Sequence, residues 1–172
     1  MDTFLAITSR RDERRYAPGP LPDDVVERIL DAGRLAGSAQ NRQPWTFHVP
    51  SREVIERLST AVFVPDNVLL AGFVVVITVN GSGRAMFDAG RAAQNMLLAA
   101  WNDGVAACPN GVADDAAARA ALELGVEDDH IAIVLSFGIP EKPRDVGSRS
   151  AAEWSARANR RPLVDVVRSV GS

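Results

Sequence analysis

FVVVITVNGSGRAMFDAGRAAQNMLLAAWNDGVAAC, residues 73–108, is the stretch on which the architecture turns. Its first seven residues are apolar on both faces of a strand, which predicts a central strand covered on both sides. The helix that follows is apolar or small on most sides and stops at Gly104, a position suited to a left-handed cap. VAAC, 105–108, reads as a short strand. Strand, glycine turn and helix together also form the local context of a dinucleotide-binding turn. That fingerprint fails, because Met86 stands where the third glycine belongs and the next strand ends in Cys108 and Pro109 instead of a ribose-binding acid. NGSG therefore reads as a tight connection. A Rossmann-type α/β protein stays open as the alternative fold, since strands and helices alternate through the middle of the chain.

Outward from this centre the pattern continues. PDDVVERILDAGRLAG, 22–37, places Pro22 at a helix start, Asp23 and Asp24 in the first turn and Val25, Val26, Ile29, Leu30 and Ala36 on one face. WTFHV, 45–49, has strand composition, and SREVIERLST, 51–60, is a short helix with a serine cap. ADDAAARAALELG, 113–125, predicts a helix ending at Gly125, and HIAIVLSFG, 130–138, a second buried strand. GIPEKPRDVGSRS then turns rich in proline, glycine and charge, the texture of an exposed arm. AAEWSARANRRPLVDVVRSVGS adds a short helix and an extended end. The expectation is one domain over residues 1–172, with an extended C-terminal arm from about residue 139.

Composition narrows the class of function. Hydrophobic residues at 47% and charged ones at 24% exclude a disordered or collagen-like chain. A net charge of −3 supplies no broad field for a polyanion, so no nucleic-acid partner is expected. The longest apolar run, VLLAGFVVVITV, is too short to span a bilayer, and MDTFLAITSRR lacks the order of a signal peptide. Cys108 is the only cysteine, which excludes an internal disulfide and suits a cytoplasmic setting.

Four stretches offer chemistry. In SRRDERRY, 9–16, Arg10 and Arg11 could seat a phosphate bidentately, or could serve as a solvated helix end paired with Asp12 and Glu13. In SAQNRQPW, 38–45, Ser38, Gln40 and Asn41 suit the polar edge of a planar heterocycle; the alternative is a loop that satisfies its own backbone. ACPNG, 107–111, holds a thiol with no evident base, so Cys108 reads as a buried structural residue. His48 and His130 sit in strand-like contexts, and no spacing of His, Asp or Glu suggests a metal site.

Taken in order, RRDERRY, PDDVVERILDAGRLAG, SAQNRQPWTF, DAGRAAQNMLLAAW, DGVAACPNG and NRRPL resemble the nitroreductase family of flavoenzymes over nearly the whole chain. The resemblance implies an α+β fold with a central mixed sheet flanked by helices. It also implies an intertwined homodimer with FMN at two interfacial sites. Carried onto this sequence, Arg10 and Arg11 would meet the phosphate and ribityl chain, with Arg160 or Arg161 closing the phosphate site. Asp12 stands beside it, where many members carry a serine. Ser38, Ala39, Gln40 and Asn41 would approach the flavin held mainly by the other subunit. Pro109, Asn110 and Gly111 would run beside the ring, chiefly through their backbone, and Asn67 would reach the ribityl chain.

The implied activity is two half-reactions: NAD(P)H reduces the flavin, and a nitroaromatic, quinone or other conjugated acceptor reoxidises it. No catalytic side chain is expected, because the cofactor carries the chemistry. Only NGSGRAMF lies between Val79 and Asp88, where better-known members insert helices, so this resembles a compact member whose pocket is either more open or covered by the exposed arm. Two other roles stay open: a flavin-binding protein without turnover, and a flavin- or deazaflavin-processing enzyme of the same family.

Overall fold

A computed structural model describes residues 2–81, 83–125 and 129–171, and the chain divides into two compact units. The larger comprises Arg11–Arg144. Within it lie β1 (Tyr16–Ala17), α2 (Asp23–Arg34), β2 (Trp45–His48), α3 (Arg52–Ser59), α4 (Asp66–Leu69), β3 (Phe73–Val79), α5 (Arg84–Asn102), β4 (Ala106–Asn110), α6 (Asp115–Ala121) and β5 (His130–Pro140).

β5 organises the sheet. β3 pairs with it from Phe73 opposite Phe137 to Val79 opposite His130, and β4 pairs with it from Ala106 opposite Gly138 to Asn110 opposite Val134. Since Phe137 faces a partner on both edges, β3 and β4 flank β5 and run parallel to each other. β1 joins the end of β5 at Ile139 and Pro140, and β2 extends the sheet beyond β3. Every one of these ladders is antiparallel. The α+β architecture is as expected, but the sheet formed by the described residues is antiparallel and not mixed. The reason is that α5 connects two strands separated by β5, so no adjacent pair is joined as a parallel crossover.

All seven residues of β3 are buried because both faces are covered. Side chains alternate along a strand, so Phe73, Val75, Ile77 and Val79 share one core with Ile29 of α2 and with Ala89, Ala93, Met96 and Ala100 of α5. Val74 and Val76 point the other way, to Ile55 and Leu58 of α3, Val68 of α4 and Ala118 and Ala121 of α6. Alanines on the inner face of α5 let that helix lie close to the sheet. It ends where expected, with Gly104 at φ 73°. Ser82, in the NGSG turn, lies outside the described residues.

β4 runs Ala106–Asn110 instead of 105–108, and two other boundaries also differ from the sequence reading. α6 stops at Ala121 and not at Gly125, because Glu123 itself takes the left-handed conformation at φ 58°. The Leu124 and Glu123 N–H groups then bond the Arg119 and Ala120 carbonyls, the paired closure usually built on glycine. β5 continues through Pro140, so Ile139 and Pro140 belong to the sheet and not to an arm. Their partner is β1, a two-residue strand too short to announce itself in sequence.

The smaller unit comprises residues 1–10 and Asp145–Ser172, of which 2–10 and 145–171 are described. α1 (Thr3–Ser9) is capped by the Asp2 carboxylate, which accepts from the Phe4 and Leu5 N–H groups. It packs against α7 (Ala151–Ala156), whose Ser150 and Glu153 form a reciprocal capping box. Trp154 is buried and donates to the Val146 carbonyl at 3.0 Å. α8 (Leu163–Val166) is a single exposed turn.

Candidate functional site

Residues 37–44 form a tightly bound loop between α2 and β2. Gln40, Asn41 and Gln43 all have positive φ, at 54°, 55° and 50°. Each left-handed non-glycine residue costs on the order of 1 kcal/mol, so the loop must be held in place. The Gln43 N–H donates to Ser38 Oγ at 2.8 Å, and the Asn41 N–H to the Ser38 carbonyl at 3.0 Å. From outside the loop, Asp88 of α5 accepts the Ala39 N–H at 3.1 Å. Arg91, one turn on, lies 3.6 Å from the same carboxylate with its guanidinium against Gly37. A Cβ on Gly37 would press on the far end of that guanidinium, which would have to shift. Ala39, Gln40 and Asn41 are exposed and Ser38 is half-buried. Ser38 thus braces the backbone, as the reading of a loop that satisfies itself expects, while Gln40 and Asn41 are exposed.

A second cluster lies beneath residues 109–111. Asn110 is buried and its amide is fully engaged: it donates to Ser136 Oγ at 2.9 Å and the Cys108 carbonyl at 3.0 Å, and accepts from Asn67 Nδ2 at 3.0 Å. The Tyr16 hydroxyl meets Ser136 Oγ at 2.9 Å. Among the described residues no buried side-chain polar atom lacks a partner. The fold therefore brings Asn67 and Asn110 together, with both amides turned inward. Pro109 remains half-buried and Gly111 exposed, its carbonyl accepting from the Phe63 N–H at 3.2 Å.

Burial pushes the Tyr16 phenol up from 10.0 to about 12, opposed by its hydrogen bond to Ser136. Because the folded value lies above the unfolded one, this contribution to stability is complete below pH 10.0 and is lost as pH rises through about 12. The loss amounts to about 3 kcal/mol. Tyr16 is the only tyrosine, so tyrosinate absorbance reads it alone. The folded chain is expected to titrate about two units above its urea-unfolded form. Coincident titrations would show the phenol to be solvated.

The cationic residues divide between the units. Arg10, half-buried, caps the C-terminal end of α1, and Arg160 and Arg161 are exposed ahead of α8, where Arg160 donates to the Ala158 carbonyl. Arg11 and Asp12 belong to the larger unit, where the Arg14 guanidinium lies 3.9 Å from the Asp12 carboxylate and offsets its charge. Sequence reasoning missed Asp88, Arg91, Ser136 and Tyr16 as supports. For Asp88 a signal existed: an acid on the same helical face as Ala85, Ala89 and Ala92 sits at a core position, and a buried carboxylate requires a partner. Among the described residues, none of the His, Cys, Asp and Glu side chains group to hold a metal, and no helix is long and apolar enough to cross a membrane.

The model of the Nitroreductase family matches residues 7–65 and 67–139. The chain belongs to that family. Among curated nitroreductase-family relatives, an Archaeoglobus fulgidus protein provisionally named NADH dehydrogenase/NAD(P)H nitroreductase is 30% identical over 81% of this chain and 86% of its own length. A Methanothermobacter thermautotrophicus protein of the same name is 32% identical over 65% of this chain and 62% of its own. The match thus spans less than two thirds of that second relative. A solved structure of a provisionally named nitroreductase from Desulfovibrio desulfuricans, in complex with FMN, superposes with a TM-score of 0.82 at 27% identity. It covers all of this chain and 99% of that one.

Proposed function

We propose that this nitroreductase-family chain is an FMN-dependent oxidoreductase that uses NADH or NADPH to reduce a nitroaromatic, a quinone or a similar conjugated acceptor. The observation that carries the reading is the braced 38–41 loop, in a chain similar over its full length to a protein solved with FMN. The donor set suits that cofactor. Arg10 and Arg11, with Arg160 or Arg161, offer guanidinium forks for a phosphate, and pairing of Asp12 with Arg14 lessens the repulsion a free carboxylate would exert. Ser38, Ala39, Gln40 and Asn41 supply backbone and amide groups for a ring edge, and Pro109, Asn110 and Gly111 a backbone wall beside it. Asn67 acts through Asn110. Bound FMN would supply the capacity to accept a hydride and pass on two electrons. The chain's residues bind, orient and shield, so none is assigned a catalytic proton.

The reading takes residues 1–172 as one domain that forms an intertwined homodimer. Two exposed apolar features support a dimer: in one unit a groove lined by Val26, Leu30, Trp45, Phe47 and Val49, in the other Leu163, Val164, Val166 and Val167. A buried single thiol suits a cytoplasmic setting. The test is the visible spectrum of the purified protein with FMN, before and after anaerobic NADH or NADPH. Bound flavin that bleaches with either nucleotide is the expected result. Flavin that stays oxidised would favour a binding or flavin-processing role, and no flavin binding would overturn the assignment.

A further inference from the structure

Asp88 is 4% exposed in a helix face otherwise made of alanines and larger apolar residues, so its carboxylate is there for what it holds. One oxygen accepts the Ala39 N–H at 3.1 Å and the other lies 3.6 Å from Arg91. Ala39 is the residue directly before the left-handed pair Gln40 and Asn41. Fixing its peptide plane fixes where the next two amides point. Without an external anchor, relaxation of this pair toward right-handed or extended backbone is downhill.

We propose that Asp88 is a positioning residue that locks the 38–41 backbone in the conformation that receives FMN. The inference rests on the flavin reading above. Asp88→Ala removes the acceptor and leaves a residue suited to a buried helix face. Loss of a hydrogen bond to a charged acceptor predicts about tenfold or more weaker FMN binding. Asp88→Asn keeps an acceptor oxygen for the Ala39 N–H and is expected to recover most of the affinity. Two readouts complete the comparison: FMN fluorescence quenching on each full-length chain, and amide exchange of residues 38–43 in the apo protein. That exchange should accelerate in Asp88→Ala only. If Asp88→Ala does not fold, Asp88→Leu removes the same acceptor from the Ala39 N–H while keeping an apolar, helix-favouring side chain on the buried face.

Wild-type affinity and unchanged exchange in Asp88→Ala, or in Asp88→Leu where it must stand in, would overturn the role of Asp88 while leaving the flavin reading intact. Equal loss in Asp88→Ala and Asp88→Asn would also overturn it, since the acceptor would then not be what matters. Absence of FMN binding by the wild type would instead remove the flavin reading and this inference with it.

Discussion

Phe137→Ala is expected to cost about 3–5 kcal/mol of stability. Phe137 is wholly buried at the middle of the sheet, opposite Phe73 on one edge and Ala107 on the other, with its ring 5.7 Å from that of Phe73. Truncation removes the transfer energy of the ring and leaves a void that cannot collapse, because three strands meet there and each is fixed by its ladder. Since a domain is stable by about 5–15 kcal/mol, this single change takes a large share of the total. Urea unfolding of the two chains at equal protein concentration measures it. A midpoint shift equivalent to less than about 1 kcal/mol would mean that the core around Phe137 repacks freely.

Asn110→Leu is expected to combine a stability loss with a flavin defect. Leucine has the same number and branching of side-chain heavy atoms as asparagine, though its methyls take more room, but cannot accept from Asn67 or donate to the Cys108 carbonyl and Ser136. Asn67 is 6% exposed, so its amide is left without water or partner, at about 1–3 kcal/mol, and the weakened Cys108 carbonyl adds to this. A total of about 2–4 kcal/mol follows. On the proposed function, residues 109–111 would also lose their anchor beside the ring, so the visible bands of bound FMN should shift and its midpoint potential should change. Ser136→Ala, which removes the next member, should shift the spectrum less because Asn110 keeps Asn67 and Cys108. Equal spectra for Asn110→Leu and wild type would separate this network from the cofactor.

How far the sequence could be read follows from which signals were local. Phe73–Val79 declared a strand covered on both faces, and Ser51 and Gly104 declared ends of helices, because each depends on side chains within a few residues. α4 and β1 were not anticipated, and α1 only as the helix whose end the arginines of SRRDERRY could form: the two helices are four and seven residues long, and β1 exists only because β5 runs past Gly138 to meet it. The helix-end rule failed at α6 for a related reason, since Glu123 adopted the backbone conformation that the rule reserves for Gly125. Ser38–Asn41 stood out as a polar string, whereas their anchor Asp88 lies 49 residues from Ala39 and is visible only as a misplaced charge. Separations of 43 and 120 residues likewise hid Asn67 from Asn110 and Tyr16 from Ser136, so the supports of the site were less legible than its rim.

The place of β5 in the sheet also governs the order of events as the chain leaves the ribosome. Its register partners are β1, β3 and β4, all made earlier, and the Tyr16 hydroxyl bonds a residue 120 positions later. Until residue 140 has emerged, β3 can pair only with β2 and presents an open edge of valine and isoleucine to its surroundings. Such long-range closure is slow, and an open apolar edge is where nascent chains find one another. Longer dwelling of translation between Val79 and Pro140 is therefore expected to lower yield, and a chaperone that covers that edge to restore it.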